Sequence, residues 1–386
     1  MHGIQLKKGK DCARIEGNFS NTASSETAKD MSKKYDIIHF EALGPEATYL
    51  QAETKKAIER KEIPEGHTYL ITPKNLQEYM RDDASATLPD IITTKTHSVL
   101  PDRYISGKKK SVVTRSAGYD HFEHLVDRVN IASLREYCVN AVAQTAIKFL
   151  YAAAGQLNHY TVNTATFERK DSRAFRELDR HLVCTVFGVG KIGKRTYELA
   201  EANGLTVQGV DIRQDELSAL YGESVRFVSK EEAIQTSDII INAMNLTRNK
   251  DSRFYNMGYF SKSYLGQAKK RLIFINVTRG EIAPESVIAN LYRAGKIIGI
   301  GLDVFSNESL FAELLNKQAN ETDADVLAAR GLVEKAIERS SNIYVQPHQG
   351  FNSDIAAQTK AVEAIKHVEA WYRNGGAGFD EQLPYY

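Results

Sequence analysis

The feature that most constrains this chain is an alternation, repeated in two series, of short apolar runs with stretches of helical periodicity. In the first series YDIIHF (35–40), HTYLIT (67–72), DIITTKT (90–96) and KSVVTR (110–115) are spaced by the amphipathic TYLQAETKKAIERK, from Thr48, and by NLQEYMRDD. The second series holds LVCTVF (182–187), LTVQGVD (205–211), DIIINA (238–243), RLIFINV (271–277), IIGIGLDVF (297–305) and NIYVQ (342–346). Helical patterns fall between them: one running to about Asn203, a short one near Leu217, and one opening around Pro284. Ser229-Lys-Glu-Glu232 reads as a capping box in which Glu232 reaches back to the cap. Strands that are apolar throughout are covered on both faces, and parallel βαβ units achieve this. An α/β chain of doubly wound parallel sheets is expected.

Between the two series, Arg135 to about Gln156 places Val139, Val142, Ala143, Ala146, Ile147, Leu150 and Tyr151 on one helical face. Its alanines admit a close neighbour, either a partner helix or a hinge between domains. A polar, helix-rich segment covers 308–341, and a terminal helix is expected over 354–373, stopped by Gly375 and Gly376.

At 386 residues the chain suits two domains. Fifty Lys and Arg against 49 Asp and Glu leave a net charge of +1, which argues against a nucleic-acid partner or a polybasic membrane anchor. No apolar run approaches the roughly 18 residues of a membrane span, and MHGIQLKKGKDCARIEGNF lacks the apolar segment of a secretory leader. Cys12, Cys138 and Cys184 are odd in number and far apart, which excludes a disulfide framework and a CxxC metal or redox site. Residues 1–34 show no periodicity and read as an extension. A reduced, cytoplasmic protein working on small molecules is the expectation, with no metal site.

Gly188-Val189-Gly190-Lys191-Ile192-Gly193 follows one apolar run and opens a helix, and Asp211 ends the next run 18 residues beyond Gly193. In that context the glycines have tasks. The first makes the tight turn, the second lets backbone approach a pyrophosphate, and the third packs helix on strand. Asp211 can accept from both ribose hydroxyls and repel a 2′-phosphate, which points to NAD; Arg213, two residues on, is the group that could admit the phosphate of NADP. Read singly, the motif could also be a glycine turn beside a surface Asp.

Three later runs end in reactive side chains: Asn276-Val-Thr278-Arg279-Gly280, then Asp303 and Glu308, then Pro347-His348. Ligands of open parallel sheets bind outside the carboxyl ends of the strands, so these groups can converge on a nicotinamide. Hydride transfer to a 2-oxo acid needs such types. An arginine fork grips a carboxylate and polarises a carbonyl, a histidine exchanges the proton, and a carboxylate holds the imidazolium. Each alone could be a solvated strand-end residue.

Together, GVGKIG, INVTRGE, GIGLDVFSNE and VQPHQGF resemble the D-isomer-specific 2-hydroxyacid dehydrogenases, with the D-lactate dehydrogenase branch nearest in look. VVTRSAGYDHFEH (112–124) resembles the same family's substrate-carboxylate loop. The resemblance implies a Rossmann cofactor domain, 135–348, inserted into a flavodoxin-like substrate domain, 35–134 with 349–386, behind the 1–34 extension. It implies Arg279 as substrate ligand, His348 as acid/base and Glu308 as its partner. Ser116, Ala117 and Gly118 would present N–H groups to the substrate, with Phe351 nearby. Gly188, Val189, Gly190, Lys191, Ile192, Gly193, Asp211, Asn245, Thr278 and Asp303 would hold NAD. It further implies a homodimer through the cofactor domain, which would supply the partner of the 135–156 helix. Departures exist: Ser309 where the family has Pro, Ala243-Met-Asn245 in place of His-x-Pro, Gln144 for Glu, and 40 residues between Glu308 and His348. These bear on the substrate rather than the reaction. Phe351 suits an apolar or aromatic substrate, whereas further Lys or Arg in the pocket would favour a phosphorylated hydroxy acid. An NAD-sensing, corepressor-like binding protein of this fold, or a plain structural Rossmann domain, are the alternatives.

Overall fold

The computed structural model describes residues 34–167, 169, 173–316 and 322–385. The extension expected over 1–34 lies outside the described residues except for Lys34, as do residues 317–321 of the helix-rich segment.

The first series forms a five-stranded parallel sheet of β1 (Ile37–His39), β2 (Tyr69–Ile71), β3 (Ile91–Thr94), β4 (Lys110–Thr114) and β5 (Val129–Ser133) in the order β2-β1-β3-β4-β5. That is the flavodoxin-like order. The strand β5 is unmarked in the sequence because VNIAS is short and half polar, yet every residue of it is buried along β4. Tertiary cover, rather than composition, makes it a strand.

The second series forms a six-stranded parallel sheet of β6 (Val183–Phe187), β7 (Thr206–Val210), β8 (Ile239–Asn242), β9 (Leu272–Asn276), β10 (Ile297–Leu302) and β11 (Ile343–Val345), in the order β11-β10-β9-β8-β6-β7. A parallel bridge from Gly209 to Phe227 stands outside β7 as a rudimentary further strand. Consecutive residues Ile239, Ile240 and Ile241, and Ile273, Phe274 and Ile275, are all buried, so both faces of the sheet are covered. Each such side chain contributes about 1.5–3 kcal/mol of transfer free energy. The order reverses between β6 and β8, which opens a crevice at their carboxyl ends.

The helix expected over 135–156 spans Val139–Ala154 and buries Val142, Ala143, Ala146, Phe149, Leu150 and Ala153. Its apolar face packs on the helix Lys191–Ala202 and on β9 and β10 of the same chain. Of the two readings of this segment, a partner helix is present within the chain itself, where the alanines let the neighbouring helix approach. The terminal helix, Ala356–Arg373, returns to the first sheet and packs on the helix Pro45–Glu59 and on β4. At Ser229 half of the expected capping box forms: the hydroxyl accepts from the Glu232 N–H (3.0 Å), but the Glu232 carboxylate turns away to Arg226 (2.9 Å). The ion pair with a charged partner outcompetes a neutral N–H.

Candidate active site

The glycine loop joins β6 to the helix Lys191–Ala202 at the reversal point. Gly188 has φ +81°, a left-handed turn that a side chain would strain, and a Cβ on Gly193 would stand 1.8 Å from the Gly188 carbonyl oxygen. No acceptor of the described residues takes the N–H groups of Gly190, Lys191 or Ile192, the free first turn of a helix. A Cβ on Gly190 would find only Arg213 Nη2, at 3.9 Å, so backbone is bare to the crevice. Asp211, at the end of β7, accepts from the Val189 N–H through Oδ2 (2.8 Å) and from the Arg213 N–H through Oδ1 (2.8 Å). It thereby fixes the loop's geometry while lining the crevice. The crevice encloses about 710 Å³ and continues past Met244, Asn245 and Tyr255 to Tyr119 and Tyr385. A bare glycine backbone, free N–H donors and a carboxylate at the next strand end fit a dinucleotide. Asn245 is exposed in this crevice, whereas Lys191 engages Glu136.

Because β9, β10 and β11 are neighbours, the segments after them meet. Arg279 follows β9, Glu308 opens a helix, Glu308–Leu315, after β10, and His348 follows β11. His348 Nδ1 lies 2.9 Å from Glu308 Oε2, although 40 residues separate them. An imidazole donating from Nδ1 leaves Nε2 for proton exchange. The Glu308 carboxyl is held below its ordinary value. Burial opposes this, but the hydrogen bond and charge of His348, the Phe305 N–H and Arg279 prevail.

His348 adopts φ +50°, a backbone conformation that costs a side-chain-bearing residue roughly 1–2 kcal/mol. Asp303, at the end of β10 and 1% exposed, offsets that cost. Its carbonyl accepts from the His348 N–H (2.6 Å). Its carboxylate accepts from Gln346 Nε2 (2.6 Å) and the Gln349 N–H (2.8 Å) at Oδ1, and from the Gly350 N–H at both Oδ2 (2.9 Å) and Oδ1 (3.1 Å). The sequence expects Asp303 on the nicotinamide side; here its carboxylate is engaged by the histidine loop. Thr278 Oγ1 accepts from Asn242 Nδ2 (2.9 Å), and so ties the Arg279 turn to the end of β8.

Arg279 crosses to the first sheet. Its Nε (3.2 Å) and Nη2 (3.0 Å) donate to Asp120 Oδ1, and Nη1 donates to the Thr278 carbonyl (2.9 Å). A Cβ on Gly118 would lie 2.0 Å from Arg279 Nη2, so only glycine admits the guanidinium against this loop. The N–H groups of Ser116, Ala117 and Gly118 have no acceptor among the described residues and adjoin the arginine fork. Phe351 stands edge-on to His348, ring centres 6.2 Å apart. Sequence reasoning missed Asp120, since nothing local distinguishes it in SAGYDHFE; its role comes from a residue 159 positions away. Among the described residues no three His, Cys, Asp or Glu side chains group as a metal site, and no helix is long and apolar enough to cross a membrane.

A model of the D-isomer-specific 2-hydroxyacid dehydrogenase NAD-binding domain matches residues 147–350, more than half of the chain. The chain belongs to the D-isomer-specific 2-hydroxyacid dehydrogenase family. It is thus an NAD-dependent oxidoreductase by family, and the matched stretch, within which Gly188–Gly193 falls, is that family's NAD-binding domain. The chain is similar to a hydroxypyruvate reductase of Blautia hydrogenotrophica, 26% identical over 47% of this chain and 56% of the relative, so the match spans just over half of that protein's length. It is also similar to an aromatic 2-oxoacid reductase of Clostridium sporogenes, 23% identical over 69% of this chain and 76% of the relative. The fold is shared with the D-lactate dehydrogenase of Aquifex aeolicus solved with NAD and lactic acid. The TM-score is 0.70 and identity 20%, covering 88% of this chain and 96% of that one.

Proposed function

We propose that this 2-hydroxyacid dehydrogenase reduces a small 2-oxo acid to its D-2-hydroxy acid, or runs the reverse reaction, with His348 as acid/base, Glu308 as its partner and Arg279 as substrate ligand. The observation that carries the reading is the 2.9 Å His348–Glu308 pair, assembled beside Arg279 from three neighbouring strand ends. NAD, when bound, supplies or takes the hydride; the rest falls to the chain. The free N–H groups of Ser116, Ala117 and Gly118 receive the substrate carboxylate. Asp120 holds the guanidinium by its Nε side, which leaves the outer edge of the fork to carboxylate and carbonyl oxygen. His348, held through Nδ1, gives its Nε2 proton to the carbonyl oxygen as the hydride arrives, or removes the hydroxyl proton in the other direction. Asp303 keeps that ring in place.

Residues 35–134 with 349–386 act in this reading as the substrate unit, and 135–348 as the cofactor unit. The return of the helix Ala356–Arg373 to the first sheet supports that division. The reading also takes the protein to be a cytoplasmic homodimer. The test is NADH oxidation by purified protein, followed by absorbance against a panel of 2-oxo acids. Turnover that collapses in His348→Gln with NADH binding retained is the expected result; full turnover in that variant refutes the assignment.

A further inference from the structure

Next to the histidine loop, the helix Ala356–Arg373 buries a lysine. Lys360 is 7% exposed, and its ammonium lies 4.9 Å from the ring centre of Phe351 and 4.7 Å from that of Tyr137. Phe351 is the ring that stands against His348. Among the described residues no carboxylate is in ion-pair contact with Lys360. The two rings hold the ammonium by cation–π attraction but do not neutralise it.

Two further cations stand beside it. Arg115, fully buried, donates through Nε to Glu46 Oε1 (2.9 Å), and Lys95 Nζ lies 2.5 Å from Glu46 Oε2. One carboxylate thus contacts two cations and reaches the third, Lys360, only through space, so three cations share a single anion. Arg115 directly precedes the Ser116–Gly118 loop and Lys95 follows β3, so the cluster sits at the carboxyl end of the first sheet, beside that loop. Burial pushes the Lys360 ammonium down to about 8; the Glu46 carboxylate opposes this, and Lys95 and Arg115 add to it. A buried cation without its anion is costly. A site built with such a group discriminates strongly for ligands that satisfy it.

We propose that Lys360, backed by Lys95 and Arg115, forms a cationic subsite for a second anionic group of the substrate, so that the enzyme acts on 2-oxo acids whose side chain ends in a carboxylate or a phosphate. This rests on the reading of His348 as the reacting centre. The rings that would otherwise suit an apolar side chain carry the ammonium instead.

The test compares kcat/KM of the intact protein, with NADH, for 2-oxoglutarate, phosphohydroxypyruvate and the uncharged 4-methyl-2-oxopentanoate. At least one anionic substrate should exceed the uncharged one by tenfold or more, with a charged hydrogen bond contributing roughly ten- to hundredfold. Whichever anionic arm is faster identifies the terminal group. In Lys360→Met the ratio of anionic to uncharged kcat/KM should fall by about tenfold or more, and Lys360→Arg should retain most of it. A wild-type preference for 4-methyl-2-oxopentanoate overturns the proposal, and needs no variant to fold. An unchanged ratio in Lys360→Met overturns it equally. Absence of NADH oxidation with all three refutes the reading of the reacting centre, and the subsite with it.

Discussion

Replacing Asp303 by asparagine removes one charge from beneath the histidine loop with almost no change of volume. In the native protein Oδ1 serves Gln346 Nε2 and the Gln349 N–H, and the Gly350 N–H is shared between Oδ2 (2.9 Å) and Oδ1 (3.1 Å). An amide can turn its oxygen to only one of these sides. With the oxygen in place of Oδ1, Gln346, Gln349 and the longer 3.1 Å arm of Gly350 keep an acceptor, but a neutral one in place of a carboxylate, and the shorter Gly350 bond meets an NH₂ group. A hydrogen bond to a charged acceptor is worth about 1.5–3 kcal/mol. The loop that holds His348 at φ +50° is then less populated by roughly ten- to hundredfold. Steady-state kcat for the best 2-oxo acid should fall by about that factor, while the NADH dissociation constant, measured by fluorescence, moves less than about threefold. Unchanged kcat with weakened NADH binding would refute the positioning argument and return Asp303 to the nicotinamide side.

Arg279→Lys keeps the charge but loses the planar fork that Asp120 orients, so kcat/KM for 2-oxo acids should drop by roughly hundredfold or more at unchanged NADH affinity; turnover near wild type places the substrate elsewhere. Asp211→Ala should narrow the NAD over NADP ratio in kcat/KM and also weaken NAD itself, because the Val189 N–H loses its acceptor; an unchanged ratio removes Asp211 from the ribose. Glu285 lies under the Glu308 turn, where Oε1 accepts from the Ser306 N–H (2.7 Å) and Oε2 has no partner among the described residues. Burial pushes its carboxyl up to about 7, against the Ser306 hydrogen bond. The folded state then binds the proton more tightly than the unfolded chain, so stability should decline as pH rises from about 5 through about 7. Thermal denaturation of Glu285→Gln across that range should show a flatter dependence, and an identical slope in both proteins contradicts this account.

What the sequence determined by itself is what local chemistry carries. Continuous apolar runs such as DIIINA and RLIFINV can only be strands covered on both faces, and GVGKIG between a strand and a helix can only turn where backbone is bare. The order of the strand ends then names Arg279, Glu308 and His348 as candidates without any distance being known. Tertiary structure decided the rest, because those facts depend on residues far apart in the chain. VNIAS becomes β5 only under cover from β4 and the terminal segment, where the Leu383 N–H donates to the Ile131 carbonyl (2.8 Å). Glu232 leaves its own cap for Arg226, and the helix Val139–Ala154 finds its partner in the same chain. Asp120 meets Arg279, Asp303 gathers the loop around His348, and Lys360 reaches Phe351 from the terminal helix. Period and composition report which face of an element is buried. They do not report which charge a buried group faces, since the field at any site sums over side chains that only the packed fold brings together.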